Sequence, residues 1–438
     1  MLSRRSHTLT APTHADSDRK APSNGHHVTA PLRSDLQTPT TPPAHGLHEL
    51  PARFSSSPSP TKRPRARRRP PRGLVLGVLG GAAVIAALGI TQLSANLGYD
   101  DAADGLEDAL RTATAVRAET DHTLDVLTQA TDAGHVILDA GSAQLAVPES
   151  TFSALSTAVD AGEEAGAAAE TLAATALPST EVKPFWFWDL FQGSAELAAD
   201  EHSLDELVQD LDAATENAVD AEDAVQESGL AVLSAAGEAA AGFEAAHFSA
   251  RNDAVIALRN AAADALAVTT IDDGAATAYL ALQDAGAQVV ATESEELAEK
   301  SGPLQGARME IEAFARSLAP GVLLEFDWSP VVNGAGGDGS MGGYTTWWWD
   351  DPGRANIELS NSVAEQWPAE RSKALVAHEV GHAISVKCQD MYDASTQDSI
   401  EKWATAWAIS MGYTDDANGV WAYGYPPQEY IDAAAGCR

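Results

Sequence analysis

Apolar residues recur every three or four positions through a long Ala- and acid-rich region, residues 96–300. The clearest run fills positions i, i+3, i+4 and i+7 of one helical face: Leu204, Leu207, Val208 and Leu211. Small side chains between such positions allow helices to approach closely. The pattern predicts several long helices folded into an α-helical bundle or a coiled-coil stalk. Breaks are expected at three stretches rich in glycine, proline or aspartate: Gly141–Pro148, Pro178–Gly193 and Asp272–Gly274.

Upstream of this region, Leu74–Ile90 is apolar and uncharged. At about 1.5 Å per residue it is long enough to cross a bilayer. The preceding stretch, Lys62–Arg72, holds basic residues and no acidic one, and basic flanks stay in the cytoplasm. We therefore predict a transmembrane helix at residues 73–92 in a type II cell-membrane protein, with residues 93–438 outside the cytoplasm. A leader cleaved near Ala95 is the alternative.

Residues 1–72 are rich in Pro, Ser, Thr, His and Arg without periodicity, which predicts a disordered cytoplasmic tail. Charge is distributed unevenly. Residues 1–92 hold 13 of the 27 Lys and Arg and 4 of the 63 Asp and Glu, so residues 93–438 carry a net charge of −45. A region so acidic is repelled by nucleic acid and by anionic lipid headgroups. No nucleic-acid partner is expected.

The sequence changes character after Gly302-Pro303, where the predicted helical region, residues 93–302, ends. Two strand-like stretches, GVLLEFDW and ANIELS, stand on either side of a glycine-rich loop. Pro368 then suits the first turn of a helix that runs to about Lys387. The pattern predicts a small α+β unit at residues 303–438.

That predicted helix contains the sequence AHEVGHA, in which His378 and His382 are four residues apart. Residues at this spacing lie one turn apart on one helical face, so two neutral imidazoles can hold one metal ion. Glu379 is one position further round the helix. A carboxylate there is suited to act as the general base that takes a proton from a metal-activated water.

The third metal ligand is expected to be a carboxylate, because residues 303–438 contain no third histidine. In HExxHxxGxxH proteins, glycine and histidine stand where this chain has Ser385 and Cys388. A following helix in STQDSIEKWATAWAISMG, with Ser395 as N-cap and Gly412 as its stop, carries Glu401. We favour Glu401 as the ligand, and three aspartates compete with it: Asp390, Asp393 and Asp398.

The motifs HEVGH and EKWAT resemble those of the gluzincin metallopeptidases, the thermolysin-like group with HExxH and a glutamate on a later helix. The resemblance covers residues 303–438 and implies a zincin-like domain. It implies that His378, His382 and Glu401 bind zinc and that Glu379 is the general base. It also implies that ANIELS is the edge strand that binds the substrate backbone.

The chain departs from that group at Thr405, where the group usually has an aspartate that orients the first histidine. A hydroxyl accepts the ring N–H less strongly than a carboxylate does, which puts full activity in question. A donor to the developing oxyanion is also required. Arg371 is a weaker candidate for that donor than the downstream tyrosines, among which the sequence does not discriminate: Tyr392, Tyr413, Tyr423, Tyr425 and Tyr430.

Two further features add to this picture. Cys388 and Cys437 are the chain's two cysteines, and on the oxidising side of a membrane they are predicted to form a disulfide. The aromatic segment, Phe185–Phe191, holds five aromatic residues in seven. We interpret it as a hydrophobic plug at an interhelical connection, and a ligand, membrane or partner contact is the alternative.

Together these features predict a membrane-anchored, extracytoplasmic zinc endopeptidase that hydrolyses protein or peptide substrates with zinc-activated water. Residues 73–92 are its membrane contact, and self-association of the helical region stays open. One alternative is a non-enzymatic helical cell-surface protein with a degenerate peptidase-like domain. Another is a helical regulator whose peptidase cuts its own stalk or a neighbour.

Overall fold

The computed structural model describes residues 72–180 and 182–438, with side chains described from Val84 onward. The predicted cytoplasmic tail therefore lies outside the described residues except for the backbone of Arg72. The side chains of residues 73–83, the first part of the predicted transmembrane helix, also lie outside them. Within the described part of the chain, no helix has a stretch both long and apolar enough to cross a membrane.

The described chain is mostly helical, with one small sheet near its C-terminus. The helices are α1 (Arg72–Ala140), α2 (Glu149–Ala173), α3 (Phe187–Ala246), α4 (Asn252–Ala267), α5 (Asp273–Glu299), α6 (Gln305–Leu318), α7 (Asn361–Glu365), α8 (Glu370–Ser385), α9 (Gln397–Ser410), α10 (Val420–Tyr423) and α11 (Gln428–Ala434). The strands are β1 (Leu323–Ser329), β2 (Gly343–Trp348) and β3 (Asp351–Ser360). Short 3₁₀ helices span Gly337–Gly339, Val386–Met391 and Asp416–Asn418.

Helices α1 to α5 form the bundle that the sequence predicts, with breaks near the predicted places. The first break, Gly141–Pro148, separates α1 from α2. At the third, Asp272 caps α5 by accepting a hydrogen bond from Ala275 N at 3.0 Å. The second break is shorter than predicted, because α3 already begins at Phe187. A further break between α3 and α4 was not predicted.

Helices α1 and α3 run parallel to each other. Gln92 of α1 contacts the carbonyl of Phe185, just before α3, and the hydrogen bond between Thr120 and Thr215 lies further along both helices. Every seventh residue of α3 is buried over six heptads: Leu190, Leu197, Leu204, Leu211, Ala218, Val225 and Val232. The same spacing is buried on α1: Tyr99, Leu106, Ala113, Thr120 and Leu127. This is the seven-residue repeat of a coiled coil.

The C-terminal sheet has the order β1-β3-β2, with β1 parallel and β2 antiparallel to β3. The sequence ANIELS lies in β3, which is the central strand. The expectation that ANIELS is the edge strand is therefore wrong, because β3 pairs on both sides and β2 takes the edge. Helix α8 packs against β2 and β3 on one side and against α9 on the other.

The predicted disulfide is confirmed. Cys388 and Cys437 are bonded, with their Cα atoms 6.0 Å apart. The bond joins the 3₁₀ helix that follows α8 to the penultimate residue of the chain. Trp407 of α9 donates to the carbonyl of Cys437 at 2.9 Å, so the chain end, α8 and α9 are held together in one core.

The aromatic segment does not form the predicted plug. Phe185 is 79% exposed and Trp188 is 53% exposed, so neither ring fills a core. Leu190 is fully buried, because it occupies the first heptad position of α3. Phe187 is partly buried against the core between α1 and α3, while the other aromatic residues lie on exposed faces of the same helical turns and of the preceding loop.

Candidate metal centre

Helix α8 carries both histidines of the motif on one face. It begins at Glu370, two residues after Pro368, and gives way after Ser385 to the 3₁₀ helix Val386–Met391. The predicted helix end at about Lys387 is thus close to the observed one. His378, Glu379 and His382 are all buried. A buried pair of histidines at i and i+4 directs both imidazoles to the same point.

Helix α9 carries the expected carboxylate, although its N-terminus differs from the prediction. Thr396, not Ser395, is the N-cap, because its side chain accepts the hydrogen bond from Ser399 N. Asp398, a competing candidate ligand, instead forms an ion pair with Lys402 at 2.8 Å. Glu401 lies one turn into α9 and faces α8. Gly412, with φ of 93°, follows the end of the helix as predicted.

Gly381 allows α8 and α9 to approach each other. A Cβ atom at this position would lie 2.8 Å from the carbonyl oxygen of Ala404 in the α9 backbone. Only a residue without a side chain fits there. The close approach brings Glu401 within reach of His378 and His382.

The three side chains meet in a nearly equilateral triangle. Oε2 of Glu401 is 3.2 Å from Nε2 of His378 and 3.2 Å from Nε2 of His382. The two Nε2 atoms are also 3.2 Å apart. Three mutual contacts of this length cannot all be hydrogen bonds, because a carboxylate and two imidazoles lack the protons for three. The two Nε2 atoms and Oε2 of Glu401 instead surround one common point.

This triangle fits a zinc ion. Zinc binds histidine nitrogen at about 2.0–2.1 Å and carboxylate oxygen at about 2.0–2.2 Å with tetrahedral geometry, which separates ligand atoms by about 3.3 Å. The ligand types are also those of a catalytic site, in which three protein ligands leave the fourth position to water or substrate. His378, His382 and Glu401 are therefore the residues that would hold the metal.

Thr405 orients His378. Its hydroxyl donates to the carbonyl of Glu401 at 2.9 Å, as is common one turn back on a helix. The same oxygen lies 3.4 Å from Nδ1 of His378. Because the hydroxyl proton is already committed, the oxygen can accept only a ring proton on Nδ1. That tautomer leaves the Nε2 lone pair directed at the triangle.

Glu401 is ionised and held at both oxygens. Oε2 belongs to the triangle, while Oε1 accepts a hydrogen bond from Gln397, one turn earlier on α9, at 2.7 Å. Burial alone would raise the pKa of Glu401, but the adjacent imidazoles of His378 and His382 outweigh it and hold this pKa well below its usual value. The carboxylate is thus in the form that a metal requires.

Glu379 lies beside the triangle under the edge strand. Thr345 of β2 donates to Oε2 of Glu379 at 2.8 Å. A Cβ at Gly343 would lie 2.5 Å from Oε1, so β2 passes over this carboxylate at a glycine. Burial raises the pKa of Glu379 to about 7, against the lowering effects of His378 and Thr345. A carboxyl group with this pKa can both accept and return a proton near neutral pH.

Two aromatic rings hold the imidazoles in place. Trp347 of β2 stacks on His382, with ring centroids 5.3 Å apart and planes at 3°. Tyr423 of α10 stacks on His378 at 5.9 Å and 13°. Nδ1 of His382 is buried without a hydrogen-bond partner in the described part of the chain. The orientation of His382 therefore depends on stacking more than on hydrogen bonding.

Tyr423 is the tyrosine that the fold brings to the triangle. Burial raises the pKa of its phenol, and the charges of Glu401 and Glu379 raise it further. The other four tyrosines are engaged elsewhere or exposed: Tyr392 stacks on Trp403, Tyr413 packs on Phe314, Tyr430 bonds to Ser399, and Tyr425 is 66% exposed. Among the candidates from the sequence, Tyr423 alone contacts a triangle residue.

The remaining candidates lie away from the triangle. Asp390, Asp393 and Asp398 are exposed, and Asp393 accepts hydrogen bonds from Ser395 instead. Arg371 is exposed in the first turn of α8.

Three residues of the site are not among those predicted from the sequence: Thr345, Trp347 and Gln397. Gln397 had a readable signal, because it precedes Glu401 by four residues on a predicted helix. For the two β2 residues, the only signal in the sequence is the alternation of side chains along a strand. Thr345 and Trp347 share one face of a strand, but which face meets α8 depends on the order of the strands in the sheet.

No protein-family model, curated protein sequence or solved structure matches this chain significantly. The function proposed below therefore rests on the residues and geometry of the candidate centre.

Proposed function

We propose that this chain is a zinc-dependent peptidase with His378, His382 and Glu401 as ligands and Glu379 as the general base. The observation that carries the proposal is the triangle of two Nε2 atoms and one Oε2 atom, 3.2 Å apart, with a second carboxylate beside it. A structural zinc site has no use for that second carboxylate and usually has four protein ligands. A bound zinc ion would supply Lewis acidity and lower the pKa of a water molecule.

Glu379 acts first as general base and then as general acid. Its carboxylate accepts the proton of the attacking water and then delivers it to the leaving amine. The hydrogen bond from Thr345 to Oε2 fixes the carboxylate plane, which leaves Oε1 free to act. Because burial raises this pKa to about 7, the proton is accepted and released at comparable cost at neutral pH.

Tyr423 supplies the hydrogen bond to the developing oxyanion. Its raised pKa keeps the phenol protonated, so the hydroxyl is a donor under the conditions of the reaction. Stacking on His378 fixes the ring that α10 brings to the triangle, while Trp347 of β2 stacks on His382. The substrate carbonyl would lie between these two elements.

The edge strand β2 offers a binding place for an extended peptide. Ser360 N donates to Gly342 O, so the alternation of an antiparallel ladder turns the backbone groups of Gly343, Thr345 and Trp347 toward the free edge. No other strand in the described part of the chain pairs with that edge. A peptide added there by β-pairing passes Glu379 and the triangle.

The proposal also includes the location of the site. An anchor at residues 73–92 in type II orientation would hold the peptidase unit outside the cytoplasm, as Lys62–Arg72 indicates. The disulfide between Cys388 and Cys437 supports this, since such bonds persist on the oxidising side of membranes.

The test uses the full chain, purified in mild detergent, and its Glu379→Gln variant. Zinc content is measured by mass spectrometry of the metal, and hydrolysis is measured on casein with and without a chelator. We expect one zinc ion per chain in both proteins. We expect casein cleavage by the parent alone, abolished by the chelator and restored by added zinc.

Two results contradict the proposal in different ways. The assignment of the metal ligands is wrong if the parent chain binds no zinc, or if the His378→Ala variant still binds it fully. A Glu379→Gln variant that cleaves as fast as the parent removes the general base.

One observation favours a second candidate, a non-enzymatic cell-surface protein with a degenerate peptidase-like unit. Thr405 lies 3.4 Å from Nδ1 of His378 and is a weaker acceptor than the aspartate usual in the gluzincins. Full zinc occupancy without hydrolysis of casein or of a mixed peptide library supports this candidate instead.

A further inference from the structure

The aromatic segment is an apolar surface without a partner in the described part of the chain. Phe185, Trp186, Trp188 and Phe191 are each about half exposed or more. The rings contact one another instead of a core: Trp186 stacks on Trp188 with centroids 5.2 Å apart, and Phe185 meets Trp186 edge-on at 5.2 Å. Contiguous exposed aromatics of this kind mark interaction surfaces.

The segment lies beside the part of α1 that contains Gln92 and Tyr99. Gln92 donates to the carbonyl of Phe185 at 2.9 Å, and the ring of Tyr99 lies against Gly193. The aromatic rings therefore flank the point where the apolar sequence Leu74–Ile90 ends. The turns of α1 around this point carry exposed apolar side chains: Val84, Ile85, Leu88, Ile90, Leu93 and Leu97.

Charged residues begin on α1 just beyond its contact with the aromatic segment. Asp100 and Asp101 follow directly on α1, and Lys183 pairs with Asp100 at 2.6 Å. The molecule thus changes from apolar to acidic within a few residues of Gln92. Such a border, with Trp and Phe at the boundary, matches the interface between lipid chains and headgroups, where aromatic residues form belts.

We propose that the aromatic segment sits in the interfacial layer of a lipid bilayer, beside the end of the apolar run of α1. The lipid is zwitterionic, because the net charge of −45 on residues 93–438 repels anionic headgroups. A second copy of the chain is a poorer occupant, since pairing two copies brings two strongly acidic regions together. The proposal does not depend on the zinc site or on peptidase activity.

The experiment places one spin label at a time on the full chain in phosphatidylcholine vesicles. The native cysteines are disulfide-bonded and take no label. The test positions are Trp188→Cys and, as an independent second site, Phe185→Cys. The matched control is Val219→Cys, which is 42% exposed on the same helix and about 45 Å further along it. Collision rates with oxygen and with a water-soluble nickel complex are measured at each label.

Labels at 185 and 188 are expected to collide several-fold less with the nickel complex, and several-fold more with oxygen, than the label at 219. Equal nickel accessibility at all three positions overturns the proposal. Exclusion of both reagents at 185 and 188 also overturns it, in favour of a protein partner. A chain that stays in the aqueous fraction without binding vesicles overturns it as well.

Discussion

The hydroxyl oxygen of Thr405 lies 3.4 Å from Nδ1 of His378 and has its own proton committed to the carbonyl of Glu401. The contact fixes one tautomer of His378. We predict that Thr405→Val lowers zinc affinity by about 10- to 100-fold, because loss of such outer contacts has that effect on metal sites. Competition titration against a chromophoric chelator measures it.

Thr405→Ser is the matched control for that substitution. It keeps the hydroxyl and removes only a methyl group, so its zinc affinity is expected to stay close to the parent value. If Thr405→Val binds zinc as tightly as Thr405→Ser, the hydroxyl does not orient His378.

Tyr423 is predicted to act on turnover and not on zinc binding. Tyr423→Phe keeps the ring that stacks on His378 but removes the hydroxyl proposed to donate to the oxyanion. We expect zinc content and KM to stay near the parent values and kcat to fall by about a hundredfold. Tyr425→Phe, at an exposed neighbouring position, should leave kcat unchanged. Equal rates for the two variants would remove Tyr423 from the mechanism.

Gly381 is predicted to be essential for the approach of α8 to α9. Gly381→Ala inserts a Cβ 2.8 Å from the carbonyl oxygen of Ala404. Such overpacking costs about 1–3 kcal/mol in the free energy of unfolding, and separating the helices moves Glu401 away from the histidines. Urea denaturation should therefore show a lower free energy of unfolding, and zinc titration should show a lower zinc affinity.

Gly306→Ala is the control for the same chemical change. Gly306 lies in α6, and a Cβ there meets nothing within 4 Å. Alanine is the better helix former by about 1 kcal/mol, so this variant should be as stable as the parent or more stable. A Gly381→Ala variant that matches it in stability and zinc affinity contradicts the packing argument.

Cys388 and Cys437 are predicted to be blocked against alkylation in protein purified from its native membrane without reductant. The disulfide closes a loop with a sequence separation of 49 that contains Glu401 and the tyrosines. In the chain-entropy account, loss of a loop this long costs about 4 kcal/mol. Cys437→Ser should therefore lower the urea midpoint. Two freely alkylated thiols in folded protein would count against both the bond and the extracytoplasmic placement.

The part of the site that sequence predicts is the part set by local geometry. His378 and His382 share a face because a helix repeats every 3.6 residues, whatever it packs against. Glu401 could be singled out because the helix that carries it begins soon after α8 and the unit has no third histidine. Thr345 and Trp347 could not be found in this way. They depend on β2 taking the sheet edge over α8, which is a long-range outcome.

The helical region shows the same division between local and long-range information. The sequence predicts its helices and most of its breaks, and it also contains the seven-residue repeat from Leu190 to Val232. The repeat does not predict that α1 and α3 are parallel, because a heptad pattern is compatible with both parallel and antiparallel packing. The sequence does not predict the exposure of Trp188 either, since an aromatic cluster is equally compatible with a core and with an outer surface.

The length of helix α3 separates the aromatic segment from the C-terminal sheet. It runs unbroken for 60 residues, which is about 90 Å at the rise of an α-helix. It starts in the aromatic segment, and Phe248, just past its end, packs on Arg316 of α6 next to the sheet. Because α1 runs parallel to it, removing one heptad from both helices keeps the seam in register and shortens the rod by about 10 Å. If the aromatic end lies at a bilayer, as proposed, the length of α3 would set how far from the lipid the proposed peptidase unit lies.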